Sequence, residues 1–274
     1  MTQLAAYEGK LALVTGAGDG IGAMLARKLA AAGMKVCVQD IRVEAAEAVA
    51  EDIGASAFAI GGDVSDMDSL ADAAAAVRAR GEPLNLLWLN AGVGVGAPVL
   101  SGKPSAIDWG FGVNVLGVIW SAQAFAPLME NAAGPKHVGF TASTAALRPP
   151  EGDFPLYATT KHCTFAVAEA LSGEFKREGI DTTILCPGLL NTDIWDGARA
   201  RPERFGGVRR MDPKISGHWR AAQDPDVMWP HIAGKIDAGG GYLVCATDTE
   251  TKAIFETRAQ AIADSFVDLS PKAP

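Results

Sequence analysis

Tyr157 and Lys161 stand four residues apart in the stretch PLYATTKHCTFAVAEAL, whose Ala-rich apolar spacing predicts a helix beginning behind a proline. Side chains four residues apart on a helix share one face. A phenol with a pKa of about 10 is a poor base at neutral pH, but a neighbouring ammonium favours its ionised form. The pair could therefore exchange a proton with a substrate oxygen. Taken alone, it could also be an incidental pair on a solvated helix.

A glycine-rich turn ends the first predicted strand and opens the first predicted helix in LVTGAGDGIGAML. It contains Gly16, Gly18, Gly20 and Gly22. Glycine tolerates positive φ and lets a pyrophosphate approach the backbone, and the helix N-terminus offers N–H groups and a positive dipole end. The spacing differs from G-x-G-x-x-G, so the loop could merely turn the chain. Its place at the first strand of a βαβ unit favours a dinucleotide-binding site.

Asp40 ends the second predicted strand, KVCVQD, about 20 residues after the glycine turn. A carboxylate here can accept hydrogen bonds from the adenosine ribose and repels a 2′-phosphate, which favours NAD over NADP. Arg42 would soften that preference if it turned towards the ribose. Asp40 could instead be a solvated strand end.

Short apolar runs alternate with longer amphipathic ones along the whole chain. This alternation predicts an α/β fold: a single doubly wound Rossmann-type domain over residues 1–274, with a parallel sheet of about seven strands and helices on both faces. A long helix is expected over residues 109–130. Residues 190–217 are predicted to form a substrate lid. Residues 249–268 are predicted to form a C-terminal helix.

Composition narrows the function classes. The 274 residues are 49% hydrophobic and 20% charged with a net charge of −8, which disfavours a nucleic acid or an anionic membrane as partner. No uninterrupted apolar run of about 18 residues occurs, and the start lacks a signal-peptide pattern. The four cysteines form no CxxC and the histidines show no ligand spacing, so we expect reduced thiols, a cytoplasmic location and no metal site.

Seven motifs in order resemble the short-chain dehydrogenase/reductase family between about residues 8 and 245. They are TGAGDGIG, GDV, LNAG with Leu89 in place of the first asparagine, GVNVLG, TASTAAL, YATTK and PGLLNT. The resemblance implies an oxidoreductase that uses a nicotinamide cofactor. The predicted cofactor-binding residues are Gly16, Gly18, Asp19, Gly20, Ile21, Gly22, Asp40, Asp63, Val64, Asn90, Ala91, Gly92, Tyr157, Lys161, Pro187, Gly188 and Thr192.

The same resemblance implies a catalytic set of Ser143, Tyr157, Lys161 and Asn114. Tyr157 would exchange a proton with the substrate oxygen while the nicotinamide exchanges a hydride with the carbon. Ser143 would hydrogen-bond that oxygen, Lys161 would lower the pKa of Tyr157 and reach the nicotinamide ribose, and Asn114 would hold a water that relays protons to Lys161.

The chain departs from the family pattern at two places. Ser143 and Tyr157 are 14 apart, about one residue more than expected, so LRPPEGDFP should bulge at the pocket mouth. The tail helix replaces a short ending that is frequent in the family, so the resemblance is a weak basis for expecting the usual C-terminal subunit contacts. RARPERFGG and the tail faintly resemble lignin-dimer alcohol dehydrogenases of this family, which is too little to name a substrate.

The predicted lid suggests the substrate. Trp195, Phe205 and Met211 favour a secondary alcohol or ketone on a bulky apolar or aromatic scaffold, unless they only anchor the lid. The lid is also locally basic, and its cations could attract an anionic group on the substrate or the cofactor, or be paired. These cations are Arg199, Arg201, Arg204, Arg209, Arg210 and Lys214, against Glu203 and Asp212.

The sequence therefore predicts an NAD-dependent alcohol dehydrogenase or ketone reductase that acts on a small molecule. The alternatives are an NADP-dependent carbonyl reductase, a methyltransferase and a non-catalytic dinucleotide sensor. His162 is expected to pack rather than to catalyse. Small residues on one helix face, Ala166, Ala170 and Gly173, predict a homodimer or homotetramer.

Overall fold

The computed structural model describes residues 4–150, 152, 154–209 and 221–267. Seven strands form one parallel sheet in the order β3-β2-β1-β4-β5-β6-β7, which confirms the predicted α/β fold. The strands are β1 Leu11–Thr15, β2 Lys35–Asp40, β3 Ala57–Gly61, β4 Leu84–Leu89, β5 His137–Thr141, β6 Asp181–Pro187 and β7 Gly240–Cys245. The order reverses between β1 and β4, and doubly wound sheets bind ligands at such a switch point.

Helices cover both faces of the sheet. Successive residues of β1 alternate between two separate cores, with Leu11 and Leu13 in one and Ala12 and Val14 in the other. The first core includes buried residues of α3, α4, α5 and α6, and the second includes those of α1, α2 and α7. The helices are α1 Gly20–Ala31, α2 Val43–Ile53, α3 Met67–Arg78, α4 Pro104–Phe111, α5 Gly117–Phe125, α6 Pro155–Arg177, α7 Trp229–Asp237 and α8 Glu250–Ala263.

The helix after β4 differs from its predicted form in two ways. It begins at Pro104, at the first turn where proline is favoured, rather than at Trp109. Between α4 and α5, residues Gly112–Leu116 form a π-helical turn that contains Asn114. Such turns insert one residue into a helix and are frequent at functional sites.

This helical stretch is also notably apolar. By length and composition alone, Pro104–Met129 could cross a membrane, with a mean hydropathy of 1.4 over 18 residues. Polar residues interrupt this stretch, so the sequence shows no uninterrupted apolar run although the average over 18 residues is apolar. Half of the window is buried inside the fold, and core helices of soluble proteins pass the same test, so the stretch is weak support for a membrane span.

Parts of two predicted segments fall outside the described residues. In the lid these are residues 210–217, which include Arg210, Met211, Asp212 and Lys214. The C-terminal helix predicted over 249–268 is present as α8, and residue 268 lies outside the description.

Candidate active site

The glycine turn has the shape that its sequence predicts. Gly16 has a φ of 62°, in the left-handed region that favours glycine. A Cβ at Gly22 would collide with the carbonyl oxygen of Gly16, so only glycine lets α1 pack this closely under the turn. Gly16, Asp19, Gly20 and Ile21 line a large cavity at the carboxyl edge of the sheet, whereas Gly18 and Gly22 shape the turn behind it.

Asp40 is buried at the end of β2 and faces the same cavity. Its Oδ2 accepts from the Gly18 N–H at 3.0 Å, and its Oδ1 accepts from the Arg42 N–H at 2.9 Å. The Arg42 guanidinium lies 3.6 Å from that Oδ1 and 3.3 Å from Asp19 Oδ2. The carboxylate is therefore held at the place predicted for ribose recognition, with a cation beside it.

Asp63 and Val64 line the cavity beyond the end of β3. Oδ1 of Asp63 accepts from the N–H and the hydroxyl of Ser65, at 2.9 and 2.6 Å. Its Oδ2 accepts from Arg204 at 2.7 Å. The carboxylate predicted to lie near the adenine ring is thus already fixed by protein groups.

The end of β4 is joined to the glycine turn. Nδ2 of Asn90 donates to the carbonyl oxygens of Thr15 and Gly16, at 3.1 and 3.2 Å. The Thr15 hydroxyl oxygen accepts from the N–H groups of Asn90 and Ala91, at 3.0 and 3.1 Å. Sequence reasoning missed Thr15 as a site residue, although it is the threonine of TGAGDGIG.

Ser143, Tyr157 and Lys161 meet in the cavity. Ser143 Oγ accepts from the Ala145 N–H at 3.1 Å. Lys161 is buried, and its Nζ donates to the Thr141 carbonyl at 3.1 Å and lies 6.0 Å from the Tyr157 ring centroid. Helix α6 and the chain just after β5 bring together three side chains that lie up to 18 residues apart in the sequence.

Burial is the largest influence on the pKa values of Tyr157 and Lys161. It raises the pKa of Tyr157 to about 12, while the hydrogen bond with Ser143 lowers it. Burial also lowers the pKa of Lys161 to about 8. The sequence predicts that the Lys161 ammonium lowers the pKa of Tyr157. In the structure, burial has the larger effect and raises that pKa.

Asn114 is fully buried, and its side chain is fully engaged. Its Oδ1 accepts from the Val93 N–H at 2.8 Å, and its Nδ2 donates to the Val93 carbonyl and to Thr160 Oγ1, both at 2.9 Å. Its own carbonyl accepts from the Thr164 hydroxyl at 2.7 Å. The observed role is therefore to join the chain after β4 to α6 beside Lys161, and the water relay stays a prediction.

The predicted residues after β6 also reach the cavity. Pro187, Gly188 and Thr192 line it, as do Asn90, Ala91 and Gly92 after β4. The side chain of Thr192 packs over Gly20, which places the start of the predicted lid on the glycine turn. Asn191 N–H donates to the Gln223 carbonyl at 2.8 Å.

Aromatic rings line the substrate end of the cavity, whose volume is about 850 Å³. The centroid of the Trp195 ring lies 5.1 Å from that of Tyr157 and 4.1 Å from that of Phe154. Ile254 of α8 lines the same cavity, as do Arg148 and Pro149 of the loop predicted to bulge at its mouth. Phe205 instead packs against Gly112 and anchors the lid.

Three of the basic lid residues are paired rather than open. Arg199 contacts Asp19, Asp193 and Asp196. Buried Arg201 donates to the Ser105 carbonyl at 2.7 Å and lies 4.9 Å from the Trp109 ring. Arg204 pairs with Asp63. Of the basic lid residues within the described part of the chain, only Arg209 remains as an exposed candidate for attracting an anion from solution.

The comparisons with known proteins agree with this geometry. The family model described as short chain dehydrogenase matches residues 10–203. This chain is a short-chain dehydrogenase. It is 30% identical over 208 residues to a sorbitol dehydrogenase of Cereibacter sphaeroides, which covers 76% of this chain and 80% of that protein. It is also 30% identical over 272 residues to a C alpha-dehydrogenase of a Sphingobium strain, covering 96% of this chain and 88% of that one.

A solved structure extends the likeness over nearly the whole chain. A short-chain dehydrogenase/reductase from Burkholderia phymatum in complex with NAD has a TM-score of 0.84 at 28% identity, covering 99% of this chain and all of that one. Members of the family bind a nicotinamide dinucleotide, and the residues that line the cavity of this dehydrogenase are compatible with one. Gly16 and Gly20 of its glycine turn and the buried Asp40 carboxylate line the cavity at the carboxyl edge of the sheet, where doubly wound folds bind dinucleotides.

Other residues of this dehydrogenase take positions that the motifs alone do not indicate. Phe154 and Ile254 line the cavity although no motif includes them. His162, predicted to pack, has its Nδ1 2.8 Å from the Ala158 carbonyl and its Nε2 2.7 Å from Arg258 Nη1, so it fastens α8 to α6. Within the described ranges, no three metal-ligating side chains cluster.

Proposed function

We propose that this short-chain dehydrogenase transfers a hydride between NAD(H) and a secondary alcohol or ketone that carries a bulky apolar or aromatic group. One observation carries the proposal. Ser143, Tyr157 and Lys161 line one cavity, and in it the Tyr157 ring lies 5.1 Å from that of Trp195. The proton-exchanging group and a flat apolar surface are therefore available to one substrate.

Each catalytic side chain has a task that follows from its contacts. Ser143 donates to the substrate oxygen and stabilises the charge that develops there. Tyr157 takes the alcohol proton during oxidation and returns it during reduction. Lys161, held by the Thr141 carbonyl, keeps a positive charge near the phenol and favours its ionised form. The bound dinucleotide supplies the hydride donor or acceptor and, when oxidised, a positive ring that further favours the phenolate.

Asp40 supports NAD rather than NADP. Its carboxylate faces the cavity and is held by two backbone N–H groups, so a 2′-phosphate would meet a fixed negative charge. The opposing observation is Arg42, whose guanidinium lies beside the same carboxylate. It supports the alternative of an NADP-dependent carbonyl reductase if it turns to a 2′-phosphate.

The aromatic or bulky apolar group is supported by the cavity wall and by the extent of the likeness to relatives. The similarity to the C alpha-dehydrogenase extends over 96% of this chain, whereas that to the sorbitol dehydrogenase covers 76%. Ile254 on α8, with Phe154 and Trp195, presents apolar surface at the substrate end. Such a wall offers few hydrogen bonds to the hydroxyls of a sugar alcohol, and a buried hydroxyl left unpaired is costly.

The proposed location and oligomeric state are those expected from the sequence. We propose a cytoplasmic homodimer or homotetramer. Ala166, Ala170 and Gly173 are exposed on α6, which supports close packing of that helix against a second copy. The mass in solution, measured by light scattering, would contradict this if it corresponded to one chain.

A panel of alcohols tests the proposed function. Aryl secondary alcohols, aliphatic secondary alcohols and sugar alcohols would each be supplied with NAD and with NADP, and formation of the reduced coenzyme followed by absorbance. The proposal predicts the highest kcat/KM for an aryl secondary alcohol with NAD. A clear preference for a sugar alcohol, or for NADP, would overturn the corresponding part, and binding of NADH without turnover of any member would favour a sensor.

A further inference from the structure

Residues 193–205, which we call the covering segment, cross the carboxyl edge of the sheet. The Ile194 carbonyl accepts from the Gly94 N–H at 2.9 Å, just after β4. Arg199 pairs with Asp19 after β1, and Arg204 pairs with Asp63 after β3. Seven residues of the segment line the cavity: Asp193, Ile194, Trp195, Gly197, Arg199, Ala200 and Pro202. The segment therefore roofs the crevice of the switch point.

Arg199 fastens the segment beside the glycine turn. One guanidinium nitrogen donates to Asp19 Oδ2, and the other lies 3.0 Å from Asp193 Oδ2 and 3.1 Å from Asp196 Oδ2. Arg199 and Asp19 are both about three-quarters shielded from solvent. A single side chain thus holds two carboxylates of the covering segment and one of the turn, 180 residues earlier in the chain.

Arg204 fastens the other end of the segment beyond β3. Its Nη2 donates to Asp63 Oδ2 at 2.7 Å, to the Ser65 carbonyl at 3.0 Å and to Ser65 Oγ at 2.9 Å. Its Nη1 lies 3.8 Å from Asp66 Oδ2. Since strands are about 4.8 Å apart, β1 and β3 are separated by about 10 Å, so the two arginines grip well-separated points.

We propose that Arg199 and Arg204 are positioning residues that fasten the covering segment over the bound dinucleotide, so that the coenzyme leaves only when both ion pairs open. Asp19 and Asp63 both line the cavity in which the dinucleotide fits, so the fastening points lie along its path. The inference depends on the dinucleotide site that the family shares, and not on the proposed alcohol or on NAD over NADP.

The rate of coenzyme release measures this directly. NADH, and NADPH in parallel, would be displaced from the enzyme in a stopped-flow fluorimeter for the variants Arg199→Gln, Arg204→Gln and the double variant. Partly exposed ion pairs contribute modestly, so each single change should speed release roughly two- to fivefold and the double change more than either. Added salt should speed release from the native enzyme but much less from the double variant.

Arg27→Gln is the matched control. Arg27 forms an ion pair of 2.6 Å with Asp52 on α2, outside the large cavity, so its loss should leave the release rate unchanged. Hydrogen exchange on the coenzyme-free protein adds a readout independent of turnover. Residues 193–205 should lose protection in the double variant and keep it in Arg27→Gln.

The variant Asp19→Asn distinguishes two roles for Arg199. One is fastening the covering segment, and the other is direct contact with the coenzyme phosphates. Fastening predicts faster release, with little further change when Arg199→Gln is added, because both changes remove one ion pair. Direct contact predicts slower release, because a carboxylate near the phosphates has been removed. Slower release from Asp19→Asn, a double variant that releases both coenzymes at the native rate, or unchanged protection of residues 193–205 would each overturn the proposal.

Discussion

The ammonium of Lys161 lies 6.0 Å from the centre of the Tyr157 ring and is held there by the Thr141 carbonyl at 3.1 Å. Burial lowers the pKa of Lys161 to about 8 and raises that of Tyr157 to about 12. Both shifts oppose the ionised pair that proton exchange requires. An oxidised nicotinamide ring bound beside the phenol would add a positive charge that favours its ionised form.

Tyr157→Phe should abolish turnover while leaving coenzyme binding nearly intact. The change removes the hydroxyl proposed to exchange the proton but keeps the ring against Trp195. A positioned acid–base group contributes about 10²–10⁴-fold to the rate, so kcat should fall by at least this range. Steady-state rates and NADH fluorescence titration measure the two quantities separately. Turnover close to that of the native enzyme would rule out Tyr157 as the proton-exchanging group.

The pH profile of alcohol oxidation should depend on Lys161. In the proposed mechanism Tyr157 is the base in this direction, so activity at saturating NAD should rise with pH as the phenol ionises. Lys161→Met removes a positive charge, which should move the half-maximal pH upward, by about one unit or more. Lys161→Arg keeps the charge and should shift it less. An identical profile for Lys161→Met and the native enzyme would contradict this role.

Much of the fold, and the placement of Ser143, Tyr157 and Lys161 in one cavity, can be predicted from local patterns. Tyr157 and Lys161 need only one helical turn to share a face, and Asp40 needs only to end a strand. Trp109 shows the limit of such patterns, because the apolar periodicity begins there although the helix begins at Pro104. The proline at the first turn was the signal that could have corrected the boundary.

Contacts between distant segments are not predictable in the same way. Arg199 and Asp19 are 180 residues apart, and the basic lid composition left open whether its cations attract an anionic group or are paired. The raised pKa of Tyr157 depends on burial that only the packed structure defines. Asn114 bonds to Val93 from within a π-helical turn, which the residue types do not signal.

Trp195→Ala should weaken catalysis selectively for aromatic substrates. Aromatic pairs contribute about 0.5–1.5 kcal/mol beyond the area they bury, so the KM for an aryl alcohol should rise roughly threefold to tenfold. A small aliphatic alcohol that does not reach Trp195 should show little change. Phe255→Ala on α8 is the control, since Phe255 is exposed and does not line the cavity. Equal losses for both substrate types would argue against a stacking role.

Asp40→Ala should shift coenzyme preference towards NADP. The change removes the hydrogen-bond acceptor proposed for the ribose and leaves Arg42 near the site. Losing a hydrogen bond to a charged group costs about 1.5–3 kcal/mol, so kcat/KM for NAD should fall by roughly tenfold or more. Arg42→Gln, in contrast, should leave NAD preferred. The ratio of kcat/KM for the two coenzymes decides, and an unchanged ratio in Asp40→Ala would contradict the NAD assignment.

Stability towards acid should depend on His137, at the start of β5. The residue is fully buried, its Nε2 lies 3.0 Å from Thr183 Oγ1, and burial lowers its pKa to about 4. Because an unfolded histidine titrates near pH 6.5, the unfolded chain takes up this proton first as pH falls. The stability that the neutral ring contributes is therefore present above about pH 6.5 and lost towards pH 4, by about 3 kcal/mol in total.

The free energy of unfolding in urea, measured across this range, tests the assignment. His137→Gln should be less stable at neutral pH but should lose less stability between pH 6.5 and 4 than the native protein. His231→Gln, an exposed position on α7, should keep the native slope. If the free energy of unfolding of His137→Gln depended on pH as that of the native protein does, other groups would account for the loss of stability in acid.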